Sequence, residues 1–401
     1  MKIGVLGYGV VGKGVDLLLQ KNRDLIARKT GFAPEVNAVL CLETSEDERF
    51  CNDIEDFMAR DFTVVAEAMG GVEPAFTYVK RCLEAGHSVV TSNKALICDR
   101  GAELFAIARA NRVGLYYEAS VGGVIPVIKT LRDNLAQDDV HTVAGILNGT
   151  TNYIFSVMLP EDGSEGISLD AAIRRAQELG YAEADPAADV EGHDAARKIA
   201  IIASLLTGCQ VGLSDVDVRG ILDITEEDVA VCKSVGYKIK LIAEAKIDGT
   251  AVSARVRPMF VAPTHPLYHI DGVTNAVVTE SDMAGEIMLT GAGAGRFPTA
   301  SAVVSDIVYA LASDYASEAD CDLPRACRHR DFGWSEKSAD KLAADASKTR
   351  YICSVRSPLP DCRELAKAGR ETIVLTEPLT EEELKAHETV YGIRWCRAAL
   401  V

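Results

Sequence analysis

The stretch KIGVLGYGVVGKG at residues 2–14 decides the fold of this 401-residue chain. A short apolar run, typical of a buried strand, leads into a G-x-G-x-x-G pattern at Gly7, Gly9 and Gly12. In nucleotide-binding folds these glycines permit a tight turn, close approach of the backbone to pyrophosphate, and close packing of helix on strand. An anion is also favoured at the N-terminus of the following helix. The pattern predicts a dinucleotide-binding loop made by Gly7, Tyr8, Gly9, Val10, Val11 and Gly12.

This interpretation depends on the segments around the loop, because a glycine pattern alone also occurs in ordinary turns. Strand-like and helix-like segments alternate beyond it. The apolar patterns predict strands near 2–6, 36–42, 63–66, 87–90 and 114–117, and helices near 11–19, 75–85 and 101–110. Such alternation predicts a parallel sheet with right-handed crossovers. We therefore expect an α/β fold in which residues 1–130 form a doubly wound, dinucleotide-binding domain.

The pattern changes after Glu118. The apolar spacing now predicts helices near 131–135, from Gly149, and near 169–179, 192–206 and 300–313, with strands near 140–147 and within 235–280. The strands of 235–280 alternate with period two, which is typical of antiparallel pairing. We therefore expect a second, α+β domain over 131–295 and a C-terminal region over 320–401. The charged segment 335–350 resembles a linker or a solvated helix.

The composition narrows the class of protein. With 48% hydrophobic and 25% charged residues the chain is typical of globular proteins, and its length predicts two or three domains. A net charge of -17 disfavours nucleic acid and anionic membranes, and no stretch offers the roughly 20 apolar residues of a membrane span. The N-terminus enters a strand without a signal-peptide pattern, and the 11 cysteines show no C-x-x-C. We expect a cytoplasmic protein with reduced thiols, no structural metal held by cysteines and histidines, and neither nucleic acid nor membrane as a partner.

The end of the second predicted strand bears on the choice of cofactor. A carboxylate there binds the ribose 2′-hydroxyl of NAD, whereas an arginine accommodates the 2′-phosphate of NADP. Here Leu42 is followed by Glu43, and the next arginine is Arg49. Because a carboxylate repels a phosphate, the sequence favours NAD, with NADP as the less favoured cofactor. The alternative is that Glu43 only faces solvent.

Two groups of charged residues could carry chemistry. Lys94 follows a predicted strand, at the edge where ligands bind in parallel sheets, although alone it could be a surface lysine. Asp194 and Lys198 lie four residues apart on one helix face, which by itself could be a solvated ion pair. Carboxylates crowd the turn before them, at Glu183, Asp185, Asp189 and Glu191. A substrate ammonium needs such carboxylates, and oxidation of an alcohol needs a titratable base beside them.

A second glycine-rich stretch, GAGAG at 291–295, precedes the predicted helix near 300–313. Glycines allow close approach of the backbone either to a ligand or to another element of the chain. The spacing alone leaves both interpretations open.

Together these motifs resemble those of homoserine dehydrogenases, in the order of that family and from residue 1 to about 315. The matching stretches are GYGVVGKG (7–14), SNKA (92–95), EASVGGVIP (118–126), GILNGTTNYI (145–154), ADPAADVEGHDAARK (184–198) and TGAGAGRFPTA (290–300). The resemblance implies NAD(P)-dependent interconversion of L-homoserine and L-aspartate 4-semialdehyde, in the branch leading to threonine, methionine and isoleucine. It implies a Rossmann domain completed by a helix at about 296–315, a catalytic and dimerisation domain, and a homodimer or dimer of dimers.

The resemblance also implies roles for single residues. Lys198 matches the proton donor and acceptor, and Lys94 matches a position beside the nicotinamide where it could also polarise the substrate oxygen. The residues matching the substrate site are Glu183 and Asp194, with Thr151 and Asp189 as further candidates. Additional cofactor contacts match Ser92, Gly180 and Gly295. A structural sodium ion, held largely by main-chain carbonyls, matches Glu118, Val121, Gly123 and Ile125.

Two features depart from the family pattern. Leu42-Glu43 stands where an arginine is often found, which again favours NAD. Residues 349–401 resemble a shortened, ACT-like βαβ remnant, with strands near 351–355, 372–375 and 393–398 and a helix near 381–387. Pro358 and Pro360, and the short distance to Gly369, leave little room for the first helix of such a module. We therefore expect no strong inhibition by threonine.

Two alternative functions fit less well. An aldehyde dehydrogenase that makes an acyl phosphate needs a nucleophilic cysteine beside a base, and none of the matched motifs contains a cysteine. A catalytically inactive homologue that senses an amino acid or a nucleotide would not need the two lysines and the carboxylates, which are all present.

Overall fold

The computed structural model describes residues 1–43, 45–161, 164–318, 333–342, 348–355, 359, 361–368, 371–391, 393 and 395–401. The chain forms two compact units. The first unit contains 1–137, 200–213 and 291–339, and the second contains 138–199, 214–290 and 340–401. The C-terminal residues 340–401 thus belong to the second unit, whereas the sequence predicted a separate region from residue 320.

The elements of residues 1–137 alternate between strand and helix. They are β1 (Lys2–Leu6), α1 (Val10–Thr30), β2 (Glu35–Leu40), β3 (Phe50–Cys51), α2 (Ile54–Met58), β4 (Val64–Glu67), α3 (Ala75–Glu84), β5 (Ser88–Thr91), α4 (Lys94–Asn111), β6 (Leu115–Tyr116) and α5 (Val127–Lys129). A short 3-10 turn at Glu118–Ser120 precedes α5, and a π-type turn at Thr130–Asn134 follows it.

The rest of the chain is mixed. Its helices and longer strands are β7 (Val140–Ile146), α6 (Gly149–Met158), α7 (Leu169–Glu178), α8 (Ala187–Val190), α9 (His193–Thr207), β8 (Cys209–Gln210), β9 (Val216–Val218), α10 (Glu226–Val235), β10 (Lys238–Asp248), β11 (Ala251–Val261), β12 (Thr274–Ser281), β13 (Gly285–Ala292), α11 (Arg296–Glu318), β14 (Ser335–Ser338), β15 (Asp340–Lys341), β16 (Arg350–Val355), β17 (Cys362–Ala368), β18 (Glu371–Thr376), α12 (Glu381–Tyr391) and β19 (Trp395–Leu400).

The sheet of the first unit has the order β3-β2-β1-β4-β5-β6, and all its pairs are parallel. Val5 in the central strand faces Val39 on one side and Ala66 on the other. This order belongs to the Rossmann fold, so the predicted fold class is confirmed. β3 and α2 were not predicted, because two and five residues are too few to show a hydrophobic period.

Helices α1 and α11 pack against each other beside this sheet. The apolar core shared by both contains Val15 and Leu19 of α1 together with Val303 and Ile307 of α11. The helix of residues 296–318 therefore belongs to the first unit. α1 continues well beyond its predicted end near residue 19, and the left-handed backbone of Gly31, with φ of 82°, ends it.

The second unit is built on a large sheet whose main path runs β13-β12-β7-β10-β11-β19-β16-β18-β17. β10 and β11 form a regular antiparallel hairpin in which Ala243 faces Val256. Antiparallel pairing of β10, β11 and β12 confirms the prediction for 235–280. One apolar core joins Ile146 and Ile242 of the central strands to Tyr351 and Ala398 of the C-terminal strands.

The C-terminal strands correct two predictions. Residues 335–338 and 340–341 form strands β14 and β15, rather than a linker or a solvated helix. Their side chains are exposed, and backbone pairing with β8 and with β11 holds them in place. The hydroxyl of Ser335 also donates to the Gly208 carbonyl, and the hydroxyl of Thr250 donates to Asp340. No sequence pattern signals such strands, because neither of their faces is buried.

The predicted βαβ remnant has an additional strand. β18, α12 and β19 correspond to it, and β17 lies beside β18 at the sheet edge. Only residues 356–361 connect β16 to β17, which is too short for the first helix of a β-α-β-β-α-β unit. Pro358, Pro360 and Gly369, on which the prediction relied, lie outside the described residues. Within the described part of the chain, no helix is long and apolar enough to cross a membrane.

Candidate active site

The glycine loop between β1 and α1 has the shape that a dinucleotide needs. Gly7 has a φ of 88°, and its N–H donates to the Leu40 carbonyl at 2.9 Å. A Cβ on Gly12 would lie 2.1 Å from the Gly7 carbonyl oxygen, so only glycine allows this approach. A Cβ on Gly9 would meet open space, and no side chain caps the start of α1. The loop therefore leaves room, and helix N–H groups, for a pyrophosphate.

A cavity of about 460 Å³ lies at this loop. Its lining includes Tyr8, Lys13, Leu42 and Glu43. The predicted cofactor-selecting residue Glu43 is thus placed with the glycine loop. Leu42 is 96% exposed, so its side chain makes no packing that a replacement would disturb.

Arg49, the first arginine after β2, is engaged with carboxylates. Its Nε and Nη2 donate to Asp47, and its Nη1 lies 3.2 Å from both carboxylate oxygens of Asp16. The hydroxyl of Tyr8 donates to Asp16 at 2.6 Å, and burial together with this carboxylate raises the pKa of Tyr8 to about 12. The guanidinium is therefore already neutralised by its neighbours.

A buried carboxylate organises the carboxyl ends of β4 and β5. Glu67 is completely buried and accepts hydrogen bonds from the Thr91 hydroxyl, the Met69 N–H at 2.7 Å and the Asn93 amide at 3.4 Å. Burial raises the pKa of Glu67. Asn93 in turn caps α4 through the Leu96 N–H at 3.1 Å.

The cap on α4 explains where the helix begins. α4 starts at Lys94, seven residues before its predicted start at Gly101. Ser92 donates its N–H to the Glu67 carbonyl at 3.3 Å, so Ser92, Asn93 and Lys94 are all placed by the strand ends. The predicted cofactor residues Ser92 and Lys94 therefore share one turn in the first unit.

The loop after β6, predicted to hold sodium, packs against the glycine-rich stretch before α11. A Cβ on Gly123 would lie 2.5 Å from the Ala292 carbonyl oxygen, and Val124 donates its N–H to that oxygen at 3.1 Å. For Gly291 and Gly293, the question left open by the sequence is thus answered: these glycines pack against another element of the chain. Gly295, with a φ of 115°, lies just before α11.

The Glu118 side chain holds the same loop. Its carboxylate accepts the N–H groups of Ile128 and Lys129, each at 2.8 Å, and its own N–H donates to Asp306 at 2.9 Å. Burial raises the pKa of Glu118 to about 7, with a further contribution from Asp306. The protein thus uses the carboxylate to fix the loop, and the main-chain carbonyls of Glu118 and Ile125 already accept the N–H groups of Val121 and Val127.

The second unit buries the predicted catalytic pair. Lys198 and Asp194 are each 8% exposed, and Nζ of Lys198 donates to Oδ2 of Asp194 at 2.7 Å and to the Leu147 carbonyl at 2.6 Å. The solvated ion pair that the sequence left open is therefore excluded. Both bonds fix the position of the ammonium group, which retains a third N–H donor.

Asn148 connects this pair to another carboxylate. Its Nδ2 donates to Asp194 at 2.9 Å and to Asp189 at 2.7 Å, while its Oδ1 accepts the Thr151 N–H at 2.8 Å and so caps α6. Burial, and then the nearby Asp194 carboxylate, raise the pKa of Asp189. The structure thus brings Asp189, Asp194 and Lys198 together.

The other predicted substrate residues are placed differently. Thr151 is completely buried, and its hydroxyl donates to Asn148 Oδ1 at 2.9 Å, so it supports the cap. Glu183 is exposed in the turn after α7, and among the described residues no hydrogen bond joins its carboxylate to Asp189 or Asp194. Gly180, with a φ of 74°, ends α7 in the same turn.

The sequence interpretation missed Asn148, Glu67 and Asn275. Asn148 lies within the quoted motif GILNGTTNYI, where an asparagine before a helix is a cap signal. Asn275 is completely buried beside Gly149, and its amide has no hydrogen-bond partner within the described part of the chain. Nothing in the local sequence distinguishes Glu67 or Asn275, because their partners come from other strands.

The chain is similar to known proteins over most of its length. The family model for the homoserine dehydrogenase NAD-binding domain matches residues 7–118, and the model for homoserine dehydrogenase matches residues 126–308. The homoserine dehydrogenase of Bacillus subtilis is 40% identical over 316 residues, covering 77% of this chain and 72% of that protein.

Solved structures show the same similarity. A homoserine dehydrogenase from Thiobacillus denitrificans has a TM-score of 0.87 and 30% identity, covering 100% of this chain and 98% of that one. A hyperthermophilic archaeal homoserine dehydrogenase in complex with NADPH has a TM-score of 0.62 and 26% identity, covering 77% of this chain and 97% of that one.

Proposed function

This chain belongs to the homoserine dehydrogenase family, and we propose that the buried Lys198–Asp194 pair moves the proton in its reaction. The protein is an NAD(P)-dependent oxidoreductase that interconverts L-homoserine and L-aspartate 4-semialdehyde. When bound, the dinucleotide supplies or accepts the hydride. The observation that carries the role of Lys198 is the fixed, buried position of its Nζ.

Lys198 acts as proton donor and acceptor at the substrate oxygen. Two of its N–H donors are bonded to Asp194 and to the Leu147 carbonyl, so the third donates to the oxygen during reduction. In the oxidising direction the same nitrogen receives the proton. Lys94 contributes a positive charge beside the nicotinamide, within the first unit.

The carboxylates beside Lys198 bind the substrate ammonium. The raised pKa of Asp189 reflects burial and repulsion by Asp194, and a bound cation would offset that repulsion. We assign this role to Asp194 and Asp189, together with the exposed Glu183. Thr151 contributes through the cap that holds Asn148.

The cofactor is held by the glycine loop, residues 7–12, together with contacts at Ser92, Lys94 and Gly295. NAD is the preferred cofactor, because Glu43 lines the cavity at the loop and Arg49 is neutralised by Asp16 and Asp47. The archaeal relative was solved in complex with NADPH, so the cofactor preference has to be measured on this chain itself.

A sodium ion is held by main-chain carbonyls of Glu118, Val121, Gly123 and Ile125, and its role is structural. Within the described residues, the carbonyls of Val121 and Gly123 accept no hydrogen bond from the protein. Oxygen ligands of this kind suit a hard cation. The ion would stiffen the loop that packs on the glycine-rich stretch before α11.

The protein acts in the cytoplasm as a homodimer or a dimer of dimers. β13 lies at one end of the sheet, and its side chains alternate between exposed and half-exposed, with Met288 40% exposed. An edge strand of this kind offers unpaired backbone groups to a second copy.

One assay tests the activity and separates it from its rivals. The protein is mixed with L-homoserine and NAD, and formation of reduced cofactor is followed by absorbance. We expect NAD to be reduced when homoserine is the substrate. We expect no reduction of NAD when L-aspartate 4-semialdehyde and phosphate are supplied instead. The opposite result would identify an aldehyde dehydrogenase, and no reduction with either would identify an inactive homologue.

A further inference from the structure

Two cysteines face each other across neighbouring strands of the second unit. Cys353 on β16 and Cys396 on β19 are directly opposite partners in the antiparallel pairing. The S–H of Cys353 donates to the Cys396 sulfur, and this bond holds the pKa of Cys396 below the ordinary thiol value. The same bond, together with burial, raises the pKa of Cys353. The two cysteines are therefore neighbours on one face of the sheet, and their side chains interact across the strand pair.

The two thiols differ in access. Cys353 is completely buried in the apolar core, whereas Cys396 is half-buried and lines a cavity of about 210 Å³. Glu388 on α12 lines the same cavity, and its Oε1 lies 3.6 Å from Sγ of Cys396. A small oxidant can therefore reach Cys396 but not Cys353, and the Glu388 carboxylate is placed to accept the Cys396 proton.

We propose that Cys353 and Cys396 are a reversible redox site, at which a small hydroperoxide converts the two thiols into an intramolecular disulfide. Cα atoms of directly opposite residues in an antiparallel pair are about 4.5 or 5.5 Å apart. Disulfides span about 4.4–6.8 Å between Cα atoms, so the bridge forms without unpairing the strands. Peroxide-sensitive cysteines are accessible and stand next to a second, resolving cysteine, as Cys396 does.

The reaction has two steps. The Cys396 sulfur, deprotonated by Glu388, attacks one oxygen of the hydroperoxide; the O–O bond breaks, and Cys396 becomes a sulfenic acid as an alcohol or water leaves with the proton. The Cys353 sulfur then attacks the Cys396 sulfur; the S–O bond breaks, and water leaves with the Cys353 proton. The two thiols lose two electrons, which reduce the peroxide. A thiol reductant reverses the process by exchange.

Cys82 and Cys362 lack the combination of an accessible thiol and a cysteine directly opposite on the next strand. Cys82 is completely buried, and burial raises its pKa to about 12. Cys362 on β17 is half-buried beside the same apolar core, and burial raises its pKa as well. Cys362 therefore resembles Cys396 in exposure but has no opposing cysteine, since its strand partner is Thr376. It provides the matched control.

Peptide mapping tests the proposal. The reduced full-length protein is treated with hydrogen peroxide at a small molar excess, free thiols are blocked with iodoacetamide, and the digest is analysed by mass spectrometry. We expect one cross-linked peptide joining Cys353 to Cys396, lighter by two hydrogen atoms, and its loss after dithiothreitol. Cys362→Ser should form the same cross-link to the same extent.

Two variants show the order of the steps. In Cys353→Ser the sulfenic acid at Cys396 cannot be resolved, so dimedone should label Cys396. In Cys396→Ser, Cys353 should remain a free thiol after peroxide. Thermal unfolding of each variant establishes that it is folded. Peroxide consumption without a Cys353–Cys396 cross-link, a cross-link through Cys362, or dimedone labelling of another cysteine would overturn the proposal.

Discussion

Nζ of Lys198 lies 2.7 Å from Oδ2 of Asp194, one helical turn earlier on α9, and both side chains are buried. A buried ion pair of this kind is expensive to desolvate, and it contributes little to stability compared with apolar residues of the same size. Its presence beside Asn148 and Asp189 is what the proposed proton transfer requires.

We expect Lys198→Ala to lower turnover with homoserine by about 100-fold or more, the usual contribution of a positioned acid–base group. Dinucleotide affinity, measured by fluorescence titration, should change little, because the glycine loop is untouched. Lys198→Met, which keeps the volume, should behave in the same way. Lys233→Ala, on the exposed face of α10, is the control and should retain normal turnover. Near-normal turnover in both Lys198 variants would remove this residue from its assigned role.

We expect Asn148→Ser to separate capping from placement of the carboxylates. Serine can still cap α6, so its unfolding free energy should stay within about 1 kcal/mol of wild type, but it lacks the amide that binds Asp189 and Asp194. Catalytic efficiency should fall by about tenfold or more, since leaving such groups unsatisfied costs about 1–3 kcal/mol. Asn148→Ala should lose both the cap of α6 and the hydrogen bonds to Asp189 and Asp194, so both its stability and its catalytic efficiency should fall. Wild-type efficiency in the serine variant would show that only the cap matters.

We expect catalytic efficiency to be higher with NAD than with NADP by about tenfold, which corresponds to about 1.4 kcal/mol. Leu42→Arg combined with Glu43→Ser should shift the preference towards NADP, because it replaces a repulsive charge with an attractive one in an exposed turn. Glu46→Ser, in the same exposed segment, is the control. If the wild-type protein had a tenfold higher catalytic efficiency with NADP than with NAD, this interpretation of Leu42 and Glu43 would be wrong.

We expect Glu67→Gln to change the pH dependence of stability. Burial raises the pKa of Glu67, so the folded chain binds its proton more tightly than the unfolded chain does. The contribution of Glu67 to stability therefore falls as pH rises from its ordinary pKa, 4.5, through the raised value. Relative to wild type, the variant should be more stable at about pH 8 than at about pH 5, as measured by urea unfolding. Glu84→Gln, exposed on α3, is the control, and its stability should follow that of the wild type at both pH values. If Glu67→Gln differed from the wild type by the same unfolding free energy at both pH values, the expected pH dependence would be wrong.

We expect threonine at millimolar concentration to leave activity unchanged. The six residues between β16 and β17 cannot form the first helix of an ACT-like effector module. Instead, Tyr351, Cys353 and Ala398 belong to the core of the second unit. A chain truncated after residue 342 should therefore unfold at lower denaturant concentration. Half-inhibition of the intact protein by low-millimolar threonine would contradict the expectation.

Local patterns were sufficient for much of the fold. The G-x-G-x-x-G loop is a signal within six residues, and the alternation of strands and helices identified the parallel sheet. Asp194 and Lys198 could be paired from their four-residue spacing, because a helix places such positions on one face. Each of these inferences depends only on residues close together in the chain.

What the sequence by itself determined was therefore the parallel sheet of residues 1–130, the antiparallel pairing of the β10–β12 region and the shared helix face of Asp194 and Lys198. Tertiary structure decided that Asn148 joins Asp189 to Asp194, that Glu67 binds Thr91 and Asn93, and that β14 and β15 are strands. The physical reason is the range of the interactions. Hydrophobic periodicity and helix spacing are local properties, whereas the partner of a buried polar group, or of an exposed edge strand, is set by packing between distant segments.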